Sequence, residues 1–118
     1  MAKFGEGLRA IRERTQMSCS QLARKMGWSG VYQWDVEKGR KHPPNINRLR
    51  DIARHLKVDA EELIKLAAIE KKSIKLEIDP ESAIQLQTAT ILLSRWETLT
   101  DKQLKEIERI ANGSTPSP

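Results

Sequence analysis

The sequence predicts an all-α protein: five short helices, then a short strand and a C-terminal helical hairpin. Apolar residues recur at helical spacing along most of the chain, and capping residues stand before each apolar stripe with Gly, Asn or Pro after it. Aromatic residues make up only 4% and charged residues 31% of the 118 positions, a poor basis for a sandwich or barrel. That length is enough for one domain or little more.

The first helix runs from about Lys3 to Arg14, with Phe4, Leu8 and Ile11 on one face. Ser18-Cys19-Ser20-Gln21 reads as a capping box opening a second helix through Met26, which Gly27 ends in a left-handed turn. Ser29 caps a third helix through Lys38, stopped by Gly39. Pro43 and Pro44 exclude helix from the following loop, and Asn45 caps a fourth helix with the stripe Ile46, Leu49, Ile52, Ala53, Leu56. Asp59-Ala60-Glu61-Glu62 is read as another capping box, opening a fifth helix with Leu63, Ile64 and Leu66.

Beyond it, Ser73 to Asp79 alternates apolar and polar residues, the pattern of a half-buried strand that needs a partner strand. Asp79-Pro80-Glu81 is expected to open a long helix striped by Leu86, Ala89, Leu93 and Trp96, joined by Ile91 and Leu92. Thr100-Asp101-Lys102-Gln103 is a third capping box, before a helix with Leu104, Ile107 and Ile110 that stops at Asn112-Gly113. The expected division is residues 1–68 as a five-helix domain, 69–79 as linker and strand, 80–113 as a helical hairpin, and 114–118 as a disordered tail.

The whole chain carries +5, but unevenly. Residues 1–68 hold 14 basic against 8 acidic side chains, a net of +6, while residues 69–118 hold 7 against 8. A polyanion such as double-stranded DNA would therefore meet the front half. Apolar runs such as Ile91-Leu92-Leu93 are far too short for a membrane span or signal-peptide core, so a cytoplasmic, nucleoid-associated protein with no membrane contact is expected. One cysteine excludes an internal disulfide, and two histidines assemble no zinc site. No side-chain set suggests catalysis, a metal or a cofactor. For Cys19, a helix N-terminus that lowers its pKa would make a redox sensor, and an inert thiol is the competing reading.

Two short helices around a tight glycine turn form a DNA-reading device, and Ser18–Met26, Gly27-Trp28 and Ser29–Lys38 fit it. From about Phe4 to Leu66 the chain resembles the Cro/Xre-type, lambda-repressor-like helix-turn-helix family. The matching pieces are Leu8-Arg9-x-x-Arg12, Gln21-Leu22-Ala23-x-x-x-Gly27, Ser29, Glu37-x-Gly39-x-x-x-x-Pro44, and Leu49-x-x-Ile52-Ala53-x-x-Leu56-x-Val58. The resemblance implies a five-helix DNA-binding domain of a dimeric repressor.

It also implies roles for particular residues. Arg12 and Glu37 match the family's internal ion pair, against the plainer reading of two exposed charges. Ser18, Cys19, Ser20 and Gln21 occupy the phosphate-facing start of the second helix, where simple capping explains them equally well. Lys38, Arg40 and Lys41 are expected beside the DNA backbone, or else in a solvated loop. The recognition helix departs from the pattern: Gly30, Val31, Tyr32 and Trp34 stand where polar side chains are usual, and Gln33 replaces an aliphatic core residue. Together with Ser29 they form the expected DNA face, unless Trp28, Val31 and Trp34 rotate inward as core. Asp35 would repel phosphates unless it is paired.

One helix-turn-helix unit contacts too few bases to select an operator, so dimerisation is the expected remedy. Ile74, Leu76 and Ile78 of the strand, with Leu86, Ala89, Leu93 and Trp96, are the candidate interface; intramolecular cover of the N-terminal core is the alternative. The hairpin is similar in architecture to SinR-type repressors, where such helices multimerise and receive an antagonist. The first functional reading is a phage- or mobile-element-like repressor, a homodimer on an operator. An antitoxin that autoregulates its operon and binds a toxin through its C-terminal part is the alternative. A third is an adaptor whose recognition helix binds a protein instead.

Overall fold

The structure, a computed structural model, describes residues 3–113. The expected disordered tail, residues 114–118, lies outside them. Among the described residues seven α-helices follow one another: α1 Lys3–Arg14, α2 Cys19–Met26, α3 Gly30–Glu37, α4 Ile46–Leu56, α5 Ala60–Lys71, α6 Ala83–Arg95 and α7 Asp101–Ala111. A single 3-10 turn, Trp96–Thr98, follows α6. The chain divides into two compact units, one ending at Ile74 and the other beginning at Lys75.

The first unit is organised by its helix ends. The Ser18 hydroxyl accepts the Gln21 amide at 3.1 Å while the Gln21 side chain accepts the Ser18 amide at 2.8 Å, satisfying two donors that the α2 start would otherwise orphan. Gly27 closes α2 at φ 75°, a left-handed turn that glycine enters without steric cost. Ser29 and Asn45 cap α3 and α4 through the amides of Tyr32 and Arg48. At α5 the expected capping box does not close. Asp59 accepts the Glu61 amide at 3.0 Å, but Glu62 turns away to an ion pair with Arg14 at 3.2 Å.

Helix α1 packs on α3 and α5, α2 on α3 and α4, and α4 on α5. Phe4, Leu8, Leu22, Val36, Ile52 and Leu63 are almost wholly inaccessible at the centre of this arrangement. Burial of each such side chain contributes about 1.5–3 kcal/mol. Gly5 lets α1 and α3 approach closely: a Cβ built there would run into the carbonyl oxygens of Glu37 and Val36. The Phe4 amide donates to Glu70 at 3.2 Å, tying the start of α1 to the last turn of α5.

The expected short strand is absent among the described residues. Residues 73–79 carry no regular structure and are exposed throughout. Alternation supplies the side-chain pattern of a strand, but a strand also needs a neighbour for its backbone donors and acceptors, and none of the described residues pairs with this segment. Helix α6 also begins later than expected. Asp79 accepts the Glu81 amide at 3.0 Å in a turn, and Ser82 is the residue that caps the helix, through Gln85.

The second unit buries none of the side chains of α6 or α7. Thr100 and Gln103 close the capping box of α7 in both directions. Leu76, Ile84, Gln85, Thr88, Ala89 and Leu92 line a shallow, largely apolar depression along α6. The unit's helices are well capped, but among the described residues α6 and α7 contribute no buried side chain.

Candidate nucleic-acid interface

The helix-turn-helix is formed by α2, the turn at Gly27 and Trp28, and α3. The inward side of α3 carries Gln33, Val36 and Glu37, all buried. Its outward side carries Gly30, Val31 and Trp34, with Trp34 four residues after Gly30 and three after Val31, so that both neighbour it on the helix surface. Val31 is 72% exposed and Trp34 45% exposed. Of the three residues that had two candidate orientations, only Trp28 turns inward, half-buried and packed against the core.

A chain of buried polar groups holds α3 in this orientation. The Arg12 guanidinium donates from Nε and Nη2 to the two Glu37 carboxylate oxygens, each at 2.8 Å, and from Nη1 to the Met17 carbonyl at 2.9 Å. Gln33 donates from Nε2 to Glu37 at 2.7 Å and accepts the Trp28 indole N–H at 2.9 Å. One network thus connects the end of α1, the loop before α2, the turn and α3. No buried side-chain polar atom among the described residues lacks a partner. The Glu37 hydrogen bonds raise the Arg12 pKa further above its high ordinary value, against the opposing effect of burial.

The sequence-predicted contact residues before and after α3 are exposed. Ser18, Ser20 and Gln21 are exposed at the start of α2, and Lys38, Arg40 and Lys41 are exposed just beyond α3. Two of these cations are engaged: the Lys38 ammonium lies 4.5 Å from the centre of the Trp34 ring, and Arg40 pairs with Asp35 at 3.4 Å. Asp35 is therefore paired, not a lone carboxylate. Tyr32 is half-buried, its ring meeting Trp28 edge-on with centroids 4.8 Å apart.

Cys19 does not have the environment of a reactive thiol. Burial, and then the Glu37 carboxylate, push its pKa up, and these outweigh the opposing pull of Arg12 and Arg9. A thiol held protonated is a poor nucleophile.

Arg48 was not singled out by the sequence. Its guanidinium lies 5.9 Å from the Trp28 ring centre, which places an exposed cation beside the turn. It stands in the first turn of α4, where the apolar stripe draws attention to the opposite face; only the excess of basic residues on that helix signals it. The expected interface residues in the back half are exposed or half-buried. Ile74, Leu76 and Ile78 lie exposed on the irregular segment, and Leu86, Leu93 and Trp96 lie exposed on or just after α6, with Ala89 half-buried.

Comparison with known proteins agrees with this geometry. A family model described as a helix-turn-helix domain matches residues 3–66. Two proteins named as uncharacterized HTH-type transcriptional regulators, from Mycobacterium tuberculosis strains CDC 1551 / Oshkosh and ATCC 25618 / H37Rv, are each 31% identical over 117 residues. Each alignment covers 96% of this chain and 83% of the relative. No solved structure matches the chain. With more than half its length matched to the family model, and α2, Gly27 and α3 forming the defining unit, the chain belongs to the helix-turn-helix family.

Proposed function

We propose that this protein is a sequence-specific DNA-binding transcriptional regulator, a repressor that acts as a homodimer by occupying an operator. The observation that carries the reading is the two-sided construction of α3. Its inner side is locked by Gln33, Val36 and Glu37, while Val31 and Trp34 face solvent, Lys38 lies over the Trp34 ring, and Arg40 and Lys41 follow the helix exposed. In a helix-turn-helix such a helix enters the major groove and its flanks contact phosphates. The names of the two mycobacterial relatives support the same direction.

The homodimer follows from two considerations. A single recognition helix contacts too few base pairs to select one site in a genome, and the symmetry of a dimer doubles the contacts. The second unit has the surface for this: Leu86, Leu93 and Trp96 are exposed and Ala89 is half-buried, with Leu93 82% accessible. An exposed apolar patch of this kind marks an interaction surface, and an aromatic anchor such as Trp96 commonly dominates one.

The test is selection of bound fragments from the source genome by the full chain, followed by affinity measurement against salt. Tight binding to a small set of duplexes, with affinity falling steeply as salt rises, supports the proposal. Equal affinity for all duplexes contradicts sequence-specific regulation, and absence of duplex binding contradicts the DNA-binding reading altogether.

A further inference from the structure

Several hydrogen-bonding side chains of α3 and its cap already have partners within the protein. The Gln33 amide is buried and committed to Trp28 and Glu37. The Ser29 hydroxyl accepts the Tyr32 amide at 3.0 Å, the Tyr32 ring packs against Trp28, and Asp35 is paired with Arg40. The residues of α3 that are exposed rather than buried or half-buried are Gly30, Val31 and Trp34. No internal contact accounts for Gly30: a Cβ built there meets nothing within 4 Å, and its backbone is not left-handed. A missing side chain at that point lowers the profile of the helix where it would approach a groove. Lys38, Arg40 and Lys41 supply the charge complementarity that an anionic duplex requires.

Among the four bases only thymine presents a methyl group in the major groove, and apolar side chains recognise it by burying it. We infer that Val31 and Trp34 read thymine 5-methyl groups, with Gly30 permitting the close approach this contact needs. Sequence choice at the centre of each half-site then comes from methyl burial rather than from bidentate hydrogen bonds. The inference rests on the proposed DNA-binding function and adds the chemistry of its specificity.

The test uses the full chain and duplexes selected from a random-sequence pool. Each thymine of a selected duplex is replaced in turn by uracil, which removes the methyl group and leaves base pairing intact, and Kd is measured at fixed salt. The inference predicts about a fourfold loss for each contacted thymine. It also predicts that the loss disappears in the Val31→Ala or Trp34→Ala chain, whichever residue makes that contact; both are surface positions whose replacement leaves the core untouched. Retained duplex binding that is indifferent to uracil at every position overturns the inference while leaving the DNA-binding function standing. A uracil effect that persists in both variants also overturns it, by assigning methyl recognition to other residues. Failure to select any duplex overturns both readings together.

Discussion

Gln33 donates to the Glu37 carboxylate at 2.7 Å, across one turn of α3, and thereby joins the Trp28 indole to the Arg12–Glu37 ion pair. An aliphatic residue at this position would fill the same space. It would also leave the indole N–H without its acceptor and the carboxylate with one donor fewer. Gln33→Leu is therefore expected to cost about 1–3 kcal/mol. Arg12→Ala, which strands a carboxylate whose side chain is only 2% exposed, is expected to cost about 3–5 kcal/mol. Urea denaturation of the three chains checks both values, and the Arg12→Met, Glu37→Leu double variant should lose less than the Arg12→Ala single variant.

The cationic flank gives a prediction in salt. Replacing Arg40 and Lys41 together with Ala should weaken binding to every duplex and flatten the slope of log affinity against log salt by about 2. Because Arg40 is paired with Asp35, Asp35→Asn should act in the opposite direction, strengthening duplex binding by removing a negative charge near the phosphates. Anisotropy titrations over a series of salt concentrations distinguish the two effects.

Cys19 gives a prediction in pH. Its folded-state pKa is raised, so the folded chain holds this proton more tightly than the unfolded chain does. The resulting stabilisation is fully present below the ordinary thiol pKa and is lost as pH rises through the folded value. Stability should therefore fall on the alkaline side, and Cys19→Ala should make that fall shallower, as followed by urea midpoints between neutral and alkaline pH. At neutral pH iodoacetamide should label Cys19 more slowly than it labels an unstructured cysteine peptide, with intact mass as the readout.

The division after Ile74 gives a prediction in length. A chain ending at Ile74 keeps Glu70, which holds the Phe4 amide, and all of the buried core. It should fold as a monomer and bind duplexes much more weakly than the full chain. Sedimentation of both chains checks this: the full chain should be dimeric at micromolar concentration, and Leu93→Asp should make it monomeric without lowering the melting temperature of the first unit.

Helix starts and stops were largely legible in the sequence because they are local events: Ser18 with Gln21, Ser29, Asn45 and Thr100 with Gln103 all cap where their spacing places them. The strand expected between Ser73 and Asp79 shows the limit of local pattern, since alternation does not supply a neighbouring strand. The capping box at Asp59 fails for a related reason: Glu62 has a competing partner, Arg14, that is 48 residues away in the chain. At the candidate site the outward placement of Val31 and Trp34 was one of two readings left by the sequence. What decides it is the fixing of the opposite side of α3 by Arg12, Glu37 and Gln33, a network that no periodicity reveals. The pairing of Arg48 with Trp28 is likewise tertiary.

The duplex affinity of Val31→Glu, measured alongside its melting temperature, tests the role of α3 most directly. Val31 projects from the outer face, so the substitution should change stability by no more than about 0.5 kcal/mol. If that face enters the groove, a carboxylate set among phosphates and base edges should lower affinity for selected duplexes by at least about tenfold, with folding unchanged. Undiminished affinity in a normally folded Val31→Glu chain would contradict the account.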